Sequence, residues 1–167
     1  MIETNSVLEP DSFYHIYNRA NGNELIFLTD RNYLFFLKQF NKYCSPFVET
    51  FCYCLMPNKK QKVEADFDCH KLISKRFSNL FSSYTQAFNK DENRKGSLFM
   101  KNFKRKKIVE EQYLIKLVHY IHMNPVEAGL VNHPSEWKYC SYSSILSHKK
   151  SHLQREQIIE LFDNKFN

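Results

Sequence analysis

The spacing of apolar residues, which switches between two and about 3.6 positions, is the feature that most constrains the fold of this chain. Two runs rich in aromatic and β-branched residues, Phe13–Asn18 and 47–56, have the composition and alternation of strands. Other stretches repeat their apolar residues every three or four positions, as on one face of an amphipathic helix. The pattern predicts a small sheet with helices packed on it.

The helical stretches have recognisable ends. Asp68 suits the N-cap of the longest, and Pro125 is expected to stop the third. A basic run at 101–109 has the character of a strand. Helices are expected at about 30–42, 69–89, 110–124 and 153–166.

The stretch 59–64 interrupts this order. It has one apolar residue in six and does not look like the hairpin partner of a hydrophobic strand. We therefore interpret it as a gap in the sheet. The order strand, helix, strand, gap, helix, strand, helix, helix predicts an α+β fold, an antiparallel sheet with helices on one face.

Composition and charge restrict the class of protein. The 167 residues, 43% of them hydrophobic, suit one folded domain. No apolar run approaches the ~20 residues of a membrane span. Residues 1–11 lack a basic-then-apolar secretion signal, so we expect a cytoplasmic protein without a membrane contact. The net charge of +6 and pI near 9.0 favour an anionic partner such as nucleic acid, although many basic proteins bind none.

The most specific chemistry lies around Tyr120. Tyr120 and Asn124 are four residues apart, so on a helix they share one face. A tyrosine hydroxyl can attack phosphorus, and an amide oxygen suits Mg²⁺ or Mn²⁺. The alternative is a tyrosine at the edge of the core and an asparagine that ends a helix before Pro125. Tyr84 lacks such a partner, because Phe88 stands four residues later, and we interpret it as a core residue whose hydroxyl is hydrogen-bonded.

Further stretches accompany the Tyr120 segment in a fixed order. The segment itself is LVHYIHMNPVEAGLV at 117–131. The others are YHIYNR at 14–19, YCLMPN at 53–58, SYTQAFN at 83–89, GSLF at 96–99, FK at 103–104 and WKYCSYS at 137–143. Together these stretches, which extend over about 13–145, resemble the single-tyrosine transposases of the HUH superfamily. The resemblance is strongest to the REP-associated branch.

The resemblance implies a ferredoxin- or RRM-like antiparallel sheet flanked by helices, with an extra C-terminal helix. It implies that Tyr120 attacks a backbone phosphate of single-stranded or hairpin DNA, giving a 5′-phosphotyrosine and a free 3′-hydroxyl that can be rejoined. In the family a His-x-His pair and a polar residue four after the tyrosine, here Asn124, hold a divalent metal, Mg or Mn. Residues 1–146 would form this domain, and residues 147–167 would form a helical extension packed on it. A homodimer is expected as one possible assembly.

The chain departs from the family where the histidine pair should stand. Lys59 and Gln61 occupy those positions. A protonated lysine repels a metal ion, and Gln61 alone is a weak oxygen ligand. Three explanations stay open: a degenerate relative that still binds DNA, residues omitted between Asn58 and about Lys62, or a resemblance limited to a shared core. We interpret the other candidate histidines as surface or capping residues: His15, His119 and His122.

The basic run supplies a candidate DNA surface. Its five cations fall within seven residues: Lys101, Lys104, Arg105, Lys106 and Lys107. One interpretation is phosphate contact, with Phe103 or Tyr113 available for base stacking. The other is a solvated edge strand that uses lysine against aggregation. We add Arg19, next to the first strand, to the expected DNA-binding residues.

Three functional hypotheses follow from these observations. The first is a transposase-like protein that binds single-stranded or hairpin DNA and cleaves and rejoins it through Tyr120 if its metal site is complete. The second is a degenerate DNA-binding module that has lost the His-x-His site and catalysis, and the third is a plain structural domain. The missing histidine pair favours the second hypothesis, and the Tyr120–Asn124 spacing favours the first.

Overall fold

The structure, a computed structural model, describes residues 5–57, 61–66 and 70–163, with 61–66 described by their backbone. The strands are β1 (Phe13–Asn18), β2 (Glu49–Cys54), β3 (Gln61–Asp66) and β4 (Lys104–Ile108). The helices are α1 (Asp30–Tyr43), α2 (His70–Asp91), α3 (Glu111–Glu127), α4 (Tyr142–Leu146) and α5 (Arg155–Asp163), with a 3₁₀ turn at Pro134–Glu136.

The strands form one antiparallel sheet in the order β2-β3-β1-β4. The chain order β1-α1-β2-β3-α2-β4 on such a sheet is the ferredoxin-like arrangement. The predicted α+β class, an antiparallel sheet flanked by helices with an extra C-terminal helix, is therefore confirmed. In the part of the chain that is described, no helix combines the length and apolar character needed to cross a bilayer.

The expected gap after β2 was wrong, because β3 occupies the stretch and lies inside the sheet. Its backbone pairs with β1 (His15 opposite Glu64) and with β2 (Tyr53 opposite Val63). Main-chain pairing on both sides explains how so polar a sequence forms a strand. The described residues do not include 58–60, where a stretch was suspected to be missing. They also do not include Asp68, the predicted N-cap of the long helix.

Helices cover both faces of the sheet, which corrects the prediction of one face. Side chains alternate along β1, so Tyr14 and Ile16 join a core with α1 and α2. Phe13 points the other way and packs edge-on against Phe51, with ring centroids 4.9 Å apart. This second core includes residues of α3 and Ile158 of α5, so the C-terminal helix packs on the domain. The boundary at residue 146 stays a prediction.

Aromatic rings fill the α1–α2 core, and several of them come from one face of α2. Tyr84 is 1% exposed, and its hydroxyl donates to the carbonyl of Ile26 at 2.6 Å. Burial raises the pKa of this phenol well above its ordinary value. Tyr84 is therefore a core residue with a satisfied hydroxyl, as expected, and is not accessible to a substrate.

The end of α3 differs from the sequence-based expectation. The helix continues through Pro125 to Glu127. It then ends in a Schellman motif, in which the N–H of Leu130 donates to the carbonyl of Pro125 at 2.9 Å and the N–H of Gly129 to that of Val126 at 2.8 Å. Gly129 has a φ of +69°, a conformation that glycine adopts without the strain of a Cβ.

Segments outside the sheet pair with both of its edge strands. Next to β4, the N–H of Ser6 donates to the carbonyl of Arg105 at 3.2 Å. Next to β2, the segment 139–141 bridges the end of the strand, and the N–H of Gln154 donates to the carbonyl of Thr50 at 3.0 Å. Part of each edge is therefore taken up by the chain itself.

Candidate nucleic-acid interface

Tyr120 lies on the solvent side of α3, with 43% of its surface exposed. Tyr113 stands seven residues earlier, two turns back on the same side of the helix and about 10 Å away along its axis. Asn124 follows one turn later, as the spacing predicted. The helix therefore presents an accessible phenol on a stripe that begins next to β4.

The Asn124 side chain has a structural role on this helix. It is 8% exposed, and its Nδ2 donates to the carbonyls of Tyr120 at 2.6 Å and Ile121 at 3.3 Å. Pro125 has no N–H, so the Ile121 carbonyl lacks its regular helical donor. The Asn124 amide supplies the missing hydrogen bond. This contact explains why α3 does not stop at Pro125.

The basic strand β4 meets this stripe at Tyr113. The ammonium of Lys106 lies 4.1 Å from the centroid of the Tyr113 ring, in cation–π geometry. Lys104 and Lys106 pair with Tyr17 and His15, whose side of the sheet is the α3 side. We call Tyr113, Tyr120, Lys104 and Lys106 the tyrosine–lysine surface.

Alternation along β4 sends the other two cations to the opposite side. Arg105 Nε donates to the carbonyl of Ser6 at 2.6 Å, and burial lowers the pKa of this guanidinium. Lys107 forms an ion pair with Glu9, and this contact raises the pKa of its ammonium. The predicted basic run is thus divided between two surfaces, and part of it secures the segment 5–9.

The remaining predicted DNA-binding residues lie in different environments. Phe103 is 6% exposed, and its ring centroid lies 5.2 Å from that of Phe77 in the α1–α2 core. Other side chains therefore cover most of the ring, and its use in base stacking stays a prediction. Lys101 is exposed in the loop that leads into β4, and Arg19 is exposed at the end of β1.

The two predicted metal ligands lie on different elements, Gln61 on β3 and Asn124 on α3. The backbone of Gln61 pairs with that of Asn18 on β1. Among the described residues no group of three or more His, Cys, Asp or Glu is placed to hold a metal ion. A divalent ion shared by Gln61 and Asn124 stays a prediction, and Lys59 lies outside the described residues.

Two of the histidines are core residues, which corrects their interpretation as surface or capping groups. His15 and His122 are each 7% exposed, whereas His119 is exposed. His122 Nε2 lies 2.8 Å from the Ser141 hydroxyl. This contact joins α3 to the segment 139–141. Burial lowers the pKa of His122 to about 4. The sequence signal for this burial was the position of His122, which follows Ile121 on the apolar side of α3.

Comparison with solved structures adds a structural relative. No family model matches the sequence, and no curated protein matches it. A solved structure of a REP-associated tyrosine transposase bound to a REP hairpin superposes with a TM-score of 0.73. The identity is 16%, and the match covers 89% of this chain and 87% of that one. The chain therefore has the fold of a REP-associated tyrosine transposase, the branch that its sequence resembles.

Proposed function

We propose that this chain is a transposase-like protein that binds single-stranded or hairpin DNA on the tyrosine–lysine surface. The observation that carries the proposal is the junction of β4 and α3, where the ammonium of Lys106 lies 4.1 Å from the centroid of the Tyr113 ring. Lys104 alternates onto the same side of the sheet as Lys106, and Tyr120 lies two turns after Tyr113 on α3. Lysine ammoniums bind phosphates, and exposed aromatic rings stack on unpaired bases. The structural relative is bound to a REP hairpin, which supports a nucleic-acid hairpin as the ligand here.

Binding is tested by fluorescence anisotropy with a labelled DNA hairpin over a range of salt concentrations. We expect the double variant Lys104→Gln, Lys106→Gln to bind more weakly at low salt. Each phosphate contact with an unpaired strand contributes about 0.7 to the slope of a plot of log K against log[salt]. If both lysines make such a contact, the slope of the variant is therefore shallower by about 1.4. The matched control is Lys149→Gln, Lys150→Gln, which removes the same charge from an exposed segment elsewhere.

Two results contradict the proposal. The first is an unchanged slope of log K against log[salt] in the Lys104→Gln, Lys106→Gln variant, which would show that these lysines do not contact the phosphates. The second is no binding by the unsubstituted protein at low salt, which removes the DNA-binding function itself.

A second candidate function is cleavage and rejoining of that DNA through Tyr120. The exposure of this phenol on the tyrosine–lysine surface favours it. In the reaction the Tyr120 oxygen would form a bond to phosphorus while the bond from phosphorus to the 3′ oxygen breaks. The phenol proton would be lost to solvent or a base, and the departing 3′ oxygen would gain a proton. Reversal rejoins the strand without an external energy source, because the new bond between phosphorus and the Tyr120 oxygen conserves the energy of the bond that was broken.

The cleavage step is tested with end-labelled hairpin DNA, with and without added Mn²⁺, by a denaturing gel that detects a covalent adduct. We expect an adduct that Tyr120→Phe abolishes and Tyr113→Phe preserves. Binding without an adduct under both conditions contradicts cleavage and supports the non-catalytic DNA-binding module. An adduct that survives Tyr120→Phe assigns the nucleophile to another residue.

A further inference from the structure

Two cysteines lie opposite each other where the segment 139–141 pairs with the end of β2. Cys54 and Cys140 form an antiparallel bridge. Two backbone hydrogen bonds flank this bridge, and they join the residues before and after each cysteine rather than the cysteines themselves. Cys54 and Cys140 are therefore a non-hydrogen-bonded pair, the kind in which the side chains of neighbouring strands approach closest.

The spacing of such a pair suits a disulfide. Residues opposed at a non-hydrogen-bonded position have Cα atoms about 4.5 Å apart, and disulfides form over Cα separations of about 4.4–6.8 Å. Cys54 and Cys140 both belong to the core on the α3 side of the sheet, so their sulfurs lie on the same side of the paired strands. Both are thiols in this structure. A bond between the two sulfurs therefore requires little movement of the backbone.

The contact between the two side chains favours reaction at Cys140. A hydrogen bond from the Cys54 thiol outweighs the effect of burial and lowers the pKa of the Cys140 thiol below its ordinary value. The thiolate, rather than the thiol, is the form of cysteine that attacks an oxidant. The pair thus combines an attacking sulfur with a second sulfur beside it, which is the arrangement that converts a sulfenic acid to a disulfide.

The burial of the pair restricts which oxidant can react. Cys54 is 0% exposed and Cys140 is 4% exposed, so a bulky oxidant has no direct access to either sulfur. The segment 139–141 is short and pairs with an edge strand of the sheet, so local opening of this segment exposes Cys140 while the sheet stays folded. A small oxidant such as hydrogen peroxide fits this restricted access.

We propose that Cys54 and Cys140 form a reversible disulfide that fastens the segment 139–141 to β2 in the presence of a peroxide. The Cys140 thiolate attacks one peroxide oxygen, the O–O bond breaks, and the departing hydroxide takes up a proton to become water. The Cys54 sulfur then attacks the sulfenic sulfur of Cys140, the S–O bond breaks, and a second water leaves with the Cys54 proton. The two sulfurs thus lose two electrons, and the peroxide is reduced to two molecules of water.

The test treats the folded, reduced protein with hydrogen peroxide and then blocks the remaining thiols with an alkylating reagent in denaturant. Mass spectrometry of the digested protein is expected to show a peptide pair that is joined through Cys54 and Cys140 and separated by a thiol reductant. The bond closes the long loop 55–139, so it is also expected to raise the melting temperature by about 5–10 °C. The reductant should reverse this rise.

Cys140→Ala is expected to abolish both the cross-link and the rise in melting temperature. Cys54→Ala is the second variant, used if Cys140→Ala does not fold, and the same result is expected. The matched control is Cys52→Ala, because Cys52 is also a fully buried cysteine of β2 and belongs to the same core. This control should preserve the cross-link and the rise.

Three results overturn the proposed disulfide. The first is no cross-link between Cys54 and Cys140 at a peroxide concentration that fully oxidises glutathione in a parallel sample. The second is a cross-link that joins either of them to a different cysteine. The third is a cross-link without a reductant-sensitive rise in melting temperature, which would show that the bond does not fasten the segment 139–141 in the folded protein.

Discussion

Asn124 allows the structural and chemical roles of one side chain to be separated. Asn124→Ala removes two hydrogen bonds from its Nδ2, to the carbonyls of Tyr120 and Ile121. A hydrogen bond contributes about 1 kcal/mol net, and a buried carbonyl left unpaired costs about 1–3 kcal/mol. Because Pro125 offers Ile121 no alternative donor, we expect the free energy of unfolding to fall by about 2 kcal/mol. In a chain of this length that lowers the melting temperature by about 4–8 °C.

A double-mutant cycle with Pro125 isolates the cause. Pro125→Ala restores a backbone N–H that can reach the Ile121 carbonyl. Asn124→Ala should therefore cost about 1 kcal/mol less in the Pro125→Ala background than in the unsubstituted chain. Urea unfolding of all four proteins, with their m-values compared, measures the coupling free energy.

Additivity within about 0.3 kcal/mol would refute this account of the α3 end. The variant Asn124→Asp adds a chemical test, because it keeps an oxygen ligand but loses the donor. The structural role predicts that it is destabilised like Asn124→Ala. A role only as metal ligand predicts unchanged stability and retained Mn²⁺-dependent adduct formation.

Three further substitutions test the fold. His122 has a folded-state pKa of about 4 against 6.5 for the unfolded chain, so the unfolded state binds more protons between these values. Stability should be full above about pH 6.5 and fall by up to about 3 kcal/mol as the pH drops to 4. His122→Gln should flatten this profile in pH-dependent urea unfolding, and His152→Gln should leave it unchanged. Tyr84→Phe removes the hydroxyl donor to the Ile26 carbonyl and is expected to cost about 1–3 kcal/mol in urea unfolding, whereas no loss would contradict that hydrogen bond. Gly129→Ala places a Cβ at positive φ and should cost about 1 kcal/mol in thermal unfolding, and unchanged stability would contradict the Schellman geometry.

Local patterns predicted most of the elements, because their apolar periodicity and the packing of the fold agree. β1 was predicted at its observed bounds, and α1 within one residue of its observed end. β3 was missed because its pairing with two neighbours, which the sequence does not display, outweighs its polar composition. The end of α3 was missed because a side-chain amide replaces the hydrogen bond that Pro125 removes.

The candidate site was predicted in outline but not in its arrangement. The position of Tyr120 on a helix follows from spacing, and its exposure depends on which side of α3 meets the sheet. The division of the basic run follows from strand alternation, which places Lys104 and Lys106 on one side and Arg105 on the other. The burial of Phe103 depends on α2, which lies far away in sequence and contributes Phe77 to its surroundings.

The pairing of both sheet edges with other segments of the chain restricts how two copies can associate. An uncovered edge strand is a template to which a strand of a second molecule can add. In the described structure, Ser6 and its neighbours occupy backbone groups of β4, while 139–141 and Gln154 occupy those of β2. The backbone groups of β2 and β4 that these segments occupy are therefore not available to a strand of a second copy.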